Sequence, residues 1–371
     1  MFGSAHPAEW RVNNFDLIRL LAALQVAIVH IISYLKPSEP IVAIVGFGLG
    51  LFPGVPVFFL ISGFLISRSL EQSASLKAYY RNRCLRIFPA LWVCLLVTVG
   101  VILACGVLTI GIASTTDWLI WWADNMIGLE SYRAAFLDSI GTGQINGSLW
   151  TIPVELEFYL LLPGIYSVLK LREHRRNAPL LILLTVSVAI RLACVNGAPL
   201  ARMGASSLVL PTVVPYLWMF LLGVLAQRNW QAIRHWLAGR FHWWLLGYLV
   251  ARAVAARLQV GSGGLEINPA FFVLVAGVVL SGAMSARSLS NRLLRRNDIS
   301  YGTYIYHMPV VNLVVHYGAA ASLWSVAMAL AASLGLASAS WRLVEKPFLA
   351  QKHGSMRALV ASPIAHEPTL S

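Results

Sequence analysis

Apolar residues along this 371-residue chain come in blocks of roughly 17–25 separated by short polar segments. At 1.5 Å of rise per residue, a helical block of that length crosses about 30 Å of hydrocarbon. The blocks predict spans at 15–35, 42–67, 87–108, 150–169, 179–195, 207–227, 242–258, 268–285, 299–318 and 322–341. The second block contains Pro53, Gly54 and Pro56, which predicts a bent or irregular outer end. Such backbone persists at membrane depth only where protein or a water-filled cavity satisfies its polar groups. The pattern predicts an all-α integral membrane protein: a bundle of about ten transmembrane helices over residues 1–346, then a polar, mobile tail at 347–371.

Composition agrees. The chain is 58% hydrophobic and 12% charged, against roughly 25% charged in soluble domains. One soluble core of this size could not hide so much apolar surface. The net charge of +13 would suit nucleic acid, but the basic residues lie in short segments between apolar blocks, so a nucleic-acid partner is excluded. Those segments orient the bundle instead. Alternate loops hold Arg68, Lys77, Arg81, Arg83 and Arg86; Lys170, Arg172, Arg175 and Arg176; Arg228, Arg234 and Arg240; and Arg287, Arg292, Arg295 and Arg296. With Arg11 before the first span and Arg342, Lys346, Lys352 and Arg357 after the last, this side carries 21 of the 28 basic residues. Both termini are therefore expected in the cytoplasm. The longest opposite loop, 109–149, is acidic and carries Trp118, Trp121 and Trp122, suited to the membrane surface or to stacking on sugar rings. The first apolar block is too long for a signal-peptide core and reads as an uncleaved span. Cys84, Cys94, Cys105 and Cys194 lack metal-ligand spacing and read as small buried hydrophobes.

Ionisable groups within spans are costly and are functional candidates by default. The first span carries Asp16, Arg19 and His30. Eleven helical residues turn 1100°, so Arg19 and His30 share a face to within about 20° and lie about 16 Å apart along the axis. Arg83 and Arg86 form a second basic pair beside the third span, and guanidinium forks match phosphate oxygens. The fourth span opens with Trp150 and carries Glu155 and Tyr159 on one face. Glu155 lies about five residues in from the outer side, as does His30. It is expected to meet that imidazole and orient it as a general base.

These segments together resemble the acyltransferase 3 family of membrane O-acyltransferases. The likeness rests on Phe15-Asp16-Leu17-Ile18-Arg19 through His30, on Phe58 to Ile66, and on Arg83-Cys84-Leu85-Arg86-Ile87-Phe88-Pro89. It continues through Ser148 to Tyr159, Ile299 to Tyr304 with His307, and Trp341 to Pro347. The resemblance implies transfer of an acyl group, usually acetyl, from cytoplasmic acetyl-CoA or another acyl-CoA to a hydroxyl of an extracytoplasmic carbohydrate, in a bacterial inner membrane. Catalytic roles then fall to His30 and Glu155. Donor binding falls to Arg19, Arg83, Arg86, Tyr301 and His307, and acceptor binding to Trp150 and Tyr159. Membrane lipid is the remaining partner, and no metal is expected. The competing reading is a secondary transporter or flippase for a glycan precursor, which would suit a bent second span and buried charges.

Overall fold

The computed structural model describes residues 12–106, 112–129, 131–174, 176–195, 212–258, 267–318 and 321–351, and no strand occurs among them. The first four helices are α1 (Phe15–Leu35), α2 (Pro40–Gly50), α3 (Gly54–Gln72) and α4 (Leu76–Ala104). They are followed by α5 (Ile112–Met126), α6 (Thr151–Val168), α7 (Ala178–Val195), α8 (Leu217–Arg228), α9 (Trp230–Leu237) and α10 (Phe241–Arg257). The last four are α11 (Pro269–Met284), α12 (Leu289–Leu294), α13 (Ser300–His316) and α14 (Leu323–Ser340), and a π-turn, Trp341–Glu345, extends α14.

Within the described residues, every apolar block contains helix, the sixth only from Leu217 onward. The second is broken at Leu51–Pro53 into α2 and α3, as its prolines require. Among the described residues, four stretches are long and apolar enough to cross a membrane: Phe15–Leu35, Pro40–Gln72, Leu76–Ala104 and Leu323–Gln351. Their outward faces are apolar as well. Leu96, Leu160, Ile182 and Trp243 each expose more than half their surface, which is stable against lipid and costly against water. The expected tail at 347–371 lies outside the described residues from 352 onward.

The closest packing joins α3 to α8, α1 to α13, and α13 to α14. At the first crossing, a Cβ on Gly63 would stand 1.9 Å from the Phe220 carbonyl oxygen, and one on Gly223 would stand 2.1 Å from that of Leu60. Small residues let the two backbones meet, as is usual where lipid removes the hydrophobic drive between helices. Asn14 locks the start of α1 to the end of α11. Its amide donates to the carbonyls of Gly282, Ser285 and Ala286, and its Oδ1 accepts from the Ser290 N–H. One side chain thus satisfies several orphan groups at helix ends.

The segment expected as an outer loop is folded. Trp118 stacks on Phe136 at 4.5 Å with rings 17° apart, Trp121 is buried beside them, and Ile102, Leu137 and Ile140 complete the cluster. These tryptophans form a small core, so the sugar-stacking alternative for Trp118 and Trp121 is lost.

From Thr142 to Thr151 the chain then re-enters the bundle along α13. Asn312 accepts from the Thr142 N–H and donates to the carbonyls of Gln144 and Ile145. Lower down, Asn146 donates to the Ile305 carbonyl, and Ser148 and Thr151 bond to Tyr304. The descent from Asn312 to Tyr304 covers about 12 Å of helix axis at 1.5 Å per residue. Gly141 opens the turn with φ +52°, and any Cβ there would lie 2.6 Å from Asn312.

Candidate active site

The re-entry sets the depth of α6, and so of Glu155. Glu155 lines a cavity whose empty space, open mouth included, is about 830 Å³. Arg19 of α1, Arg83 and Arg86 of α4, Tyr159 of α6, and Tyr301 and Tyr304 of α13 also line it. The remaining wall is largely apolar, with Phe58, Phe59 and Leu65 from α3. The Tyr159 hydroxyl donates to the Glu155 carboxylate.

Two of the arginines, Arg19 and Arg86, are held by acids. Asp298 Oδ2 accepts from Arg19 Nη1 at 3.0 Å and from Arg86 Nη2 at 2.6 Å, while its Oδ1 accepts from the N–H and hydroxyl of Ser300. Arg19 also pairs with Asp16 at 2.8 Å. Glu345, buried in the π-turn, lies 3.9 Å from Arg86. The π-turn is pinned by the Trp341 indole N–H, which donates to Asn297; such irregular turns recur at functional sites. Arg83 donates to the Ser69 hydroxyl and lies over the Tyr159 ring, and Arg86 lies over that of Tyr301.

His30 stands elsewhere. Its Nδ1 is 2.8 Å from His307 Nε2, with the rings stacked at 5.1 Å. Neither histidine lines the cavity. Tyr304 joins the two regions: it lines the cavity, and its ring centroid is 6.1 Å from that of His307. The cluster thus offers anion recognition at one end and an imidazole pair beyond an aromatic partition.

The family profile described as an acyltransferase domain matches residues 12–342 of this chain. The chain belongs to the acyltransferase 3 family. This acyltransferase is 33% identical over 351 residues to Nodulation protein 10 of Rhizobium leguminosarum bv. viciae, covering 90% of this chain and 92% of the relative. It is 27% identical to an O-acetyl transferase of Shigella phage Sf6, covering 91% of this chain and 96% of that one. It is 26% identical to the peptidoglycan O-acetyltransferase OatA of Listeria monocytogenes, covering 91% of this chain and 55% of the longer relative. No solved structure matches. Family and apolar helices together make it a multi-pass membrane protein.

The acyltransferase brings together five residues singled out for donor binding or catalysis, Arg19, Arg83, Arg86, Glu155 and Tyr301, along with Tyr159. It separates the others. The expected contact between Glu155 and His30 does not form: Glu155 pairs with Tyr159, and His30 pairs with His307. The physical reason is the re-entrant segment, which starts α6 deep in the bundle and lowers Glu155 to the level of the arginines. His307, expected on the donor path, is off the cavity and fully buried against His30. Trp150 packs on Tyr216, with ring centroids 5.4 Å apart, and is also off the cavity wall. Sequence reasoning missed Asp298 and Asn312. Asp298 sits one residue ahead of the Ile299–Tyr304 motif, and a search for acids opposite the arginines would have reached it. Asn312, a lone polar residue in an apolar span, was the available signal for the re-entry.

Proposed function

We propose that this protein is a membrane O-acyltransferase that moves an acyl group, acetyl above others, from cytoplasmic acyl-CoA to a hydroxyl of an extracytoplasmic glycan. The observation that carries the reading is the convergence of Arg19, Arg83 and Arg86 on one cavity with an apolar wall. Guanidinium forks suit the phosphates of coenzyme A, and the apolar wall suits its pantetheine arm and the acyl group. The arginine-rich loops favour a cytoplasmic mouth. The glycan acceptor and the acetyl group are supported by the relatives named O-acetyl transferase and peptidoglycan O-acetyltransferase. Their bacterial and phage sources favour a bacterial inner membrane.

In this reading the arginines hold the donor. His30, about 16 Å along α1 from Arg19, is the general base. It takes the proton of the acceptor hydroxyl as that oxygen attacks the thioester carbonyl. The new C–O bond forms, the C–S bond breaks, and coenzyme A leaves as a thiolate that is then protonated, giving an ester and a free thiol.

The test is base-labile acetate on surface glycans of cells lacking the protein, complemented with wild type or His30→Ala at equal protein level. Ester restored by wild type and not by the variant supports the reading. If wild type restores no ester, the reading fails and transport of a glycan precursor takes its place. In membranes, Arg83→Ala with Arg86→Ala is expected to raise the KM for acetyl-CoA about tenfold or more, as loss of charge-assisted phosphate contacts would. An unchanged KM would sink the phosphate role.

A further inference from the structure

His307 is a fully buried histidine in the middle of α13, and its Nε2 meets His30 Nδ1 at 2.8 Å. A hydrogen bond between two neutral imidazoles needs one N–H and one lone pair, so the two tautomers are coupled. The other nitrogen of His307 decides which way the pair is set. Its Nδ1 is enclosed against the carbonyls of Thr303 and Tyr304, one turn back on its own helix, without a well-formed bond. Carbonyl oxygens only accept. A lone pair on Nδ1 would face their lone pairs, whereas an N–H there is attracted.

His307 therefore carries its hydrogen on Nδ1 and offers a lone pair at Nε2. His30 must then donate from Nδ1, which leaves the lone pair of His30 at Nε2. The reverse order would put a hydrogen on His30 Nε2 and block it as a base. His30 is only partly buried, while His307 is fully buried.

Resting on the reading of His30 as general base, we infer that His307 is the positioning residue that holds His30 in the base-competent tautomer. A carboxylate usually fills this place in acyl-transfer sites. A neutral imidazole does so without placing a standing charge at membrane depth. When His30 takes the hydroxyl proton, the bond to His307 Nε2 persists and shares the single positive charge.

The experiment uses the full chain in nanodiscs, with acetyl-CoA as donor. The acceptor is surface glycan extracted from the source cells and stripped of its esters by mild base, and thiol release is followed. His307→Ala is expected to lower kcat by about tenfold or more, the low end of a lost general-base contribution, with the KM for acetyl-CoA changed less than about threefold. His307→Gln, whose side-chain oxygen can accept from His30 Nδ1, is expected to recover most of that loss. In parallel, 15N-imidazole spectra, with His30 assigned from the His30→Ala spectrum, are expected to show protonated Nδ1 and bare Nε2 in wild type, and mixed tautomers in His307→Ala. A raised donor KM at unchanged kcat would place His307 on the donor path and overturn the inference. A wild-type His30 protonated at Nε2 would overturn it too, as would His307→Gln behaving like His307→Ala. If wild type releases no thiol, acyl transfer itself fails, and the spectra still decide the tautomer.

Discussion

Asp298 shows how one carboxylate can organise two arginines that line a cavity without lining it itself. One of its oxygens bridges two arginines from different helices, and the other is held by Ser300. Burial works against its charge, but Arg86 and Arg19 hold its carboxyl well below the usual carboxylate range. A depressed pKa means the stabilisation is fully present above the unfolded value of about 3.9 and is lost as pH falls toward the folded one. Asp298→Asn removes the shared partner of two half-buried arginines, each of which keeps one other acid nearby, Asp16 or Glu345. The expected cost is about 1–3 kcal/mol, with a raised KM for acetyl-CoA because the arginines lose their aim. Melting curves in detergent from pH 7 down to about 2 check it: the variant should melt well below wild type from pH 7 to about 4, and the gap should narrow only below that, as the carboxyl is protonated. A variant melting like wild type at pH 7 would show that Arg19 and Arg86 are held by other contacts.

At the scale of elements, two features position the site. The crossing of α3 and α8 places Phe58, Phe59 and Leu65 on the cavity wall, and it depends on Gly63 and Gly223 lying backbone to backbone. Gly63→Ala drives a methyl into the Phe220 carbonyl, which no side-chain motion relieves. It is expected to cost more than the usual 1–3 kcal/mol of overpacking and to deplete folded protein in size-exclusion profiles. A monodisperse variant with wild-type melting would mean that the crossing can open at little cost. The second feature is the descent of residues 142–151. Asn312→Leu keeps the volume but removes the acceptor for the Thr142 N–H and the donor to two carbonyls. Each buried group left unpaired costs about 1–3 kcal/mol. Faster hydrogen exchange confined to this segment is the expected signature, and unchanged exchange there would show that Tyr304 and the carbonyl of Ile305 suffice to hold it.

Across the whole molecule the proposed chemistry needs two sides: arginines facing the donor compartment and the imidazole pair accessible from the other. Two native cysteines test that orientation. Cys84, exposed in the third turn of α4, and Cys105, half-buried just past its last residue, are both free. They are 21 residues apart, about 31 Å at 1.5 Å per residue, the thickness of the hydrocarbon. In single-cysteine variants on intact spheroplasts, an impermeant maleimide is expected to label Cys105 and to reach Cys84 only after permeabilisation. The opposite pattern would invert the bundle and put the arginine cavity on the wrong side for a cytoplasmic donor.

The helical class and the bounds of helices such as α1, α6 and α11 were legible along the chain, because a residue in lipid must satisfy its backbone within its own helix and cover it with apolar side chains; the early start of α4, the late start of α8 and the helices α5, α9 and α12 were not. Those demands are local and leave a periodic record. Arg19 and Glu155 were legible because a charge among apolar neighbours stands out, and Arg83 and Arg86 because they form a basic pair at the edge of a span. Which of them meet was decided in three dimensions. The depth of Glu155 depends on Asn312 catching a segment 170 residues earlier in the chain. The partner of His30 lies 277 residues away, and Asp298 reaches back 212 residues to Arg86. These pairings follow from the way packed helices bring particular turns to the same height. Height is a property of the assembled bundle, set by crossings such as Gly63 on Gly223 and by the re-entrant descent, and neither has a period that a single chain displays.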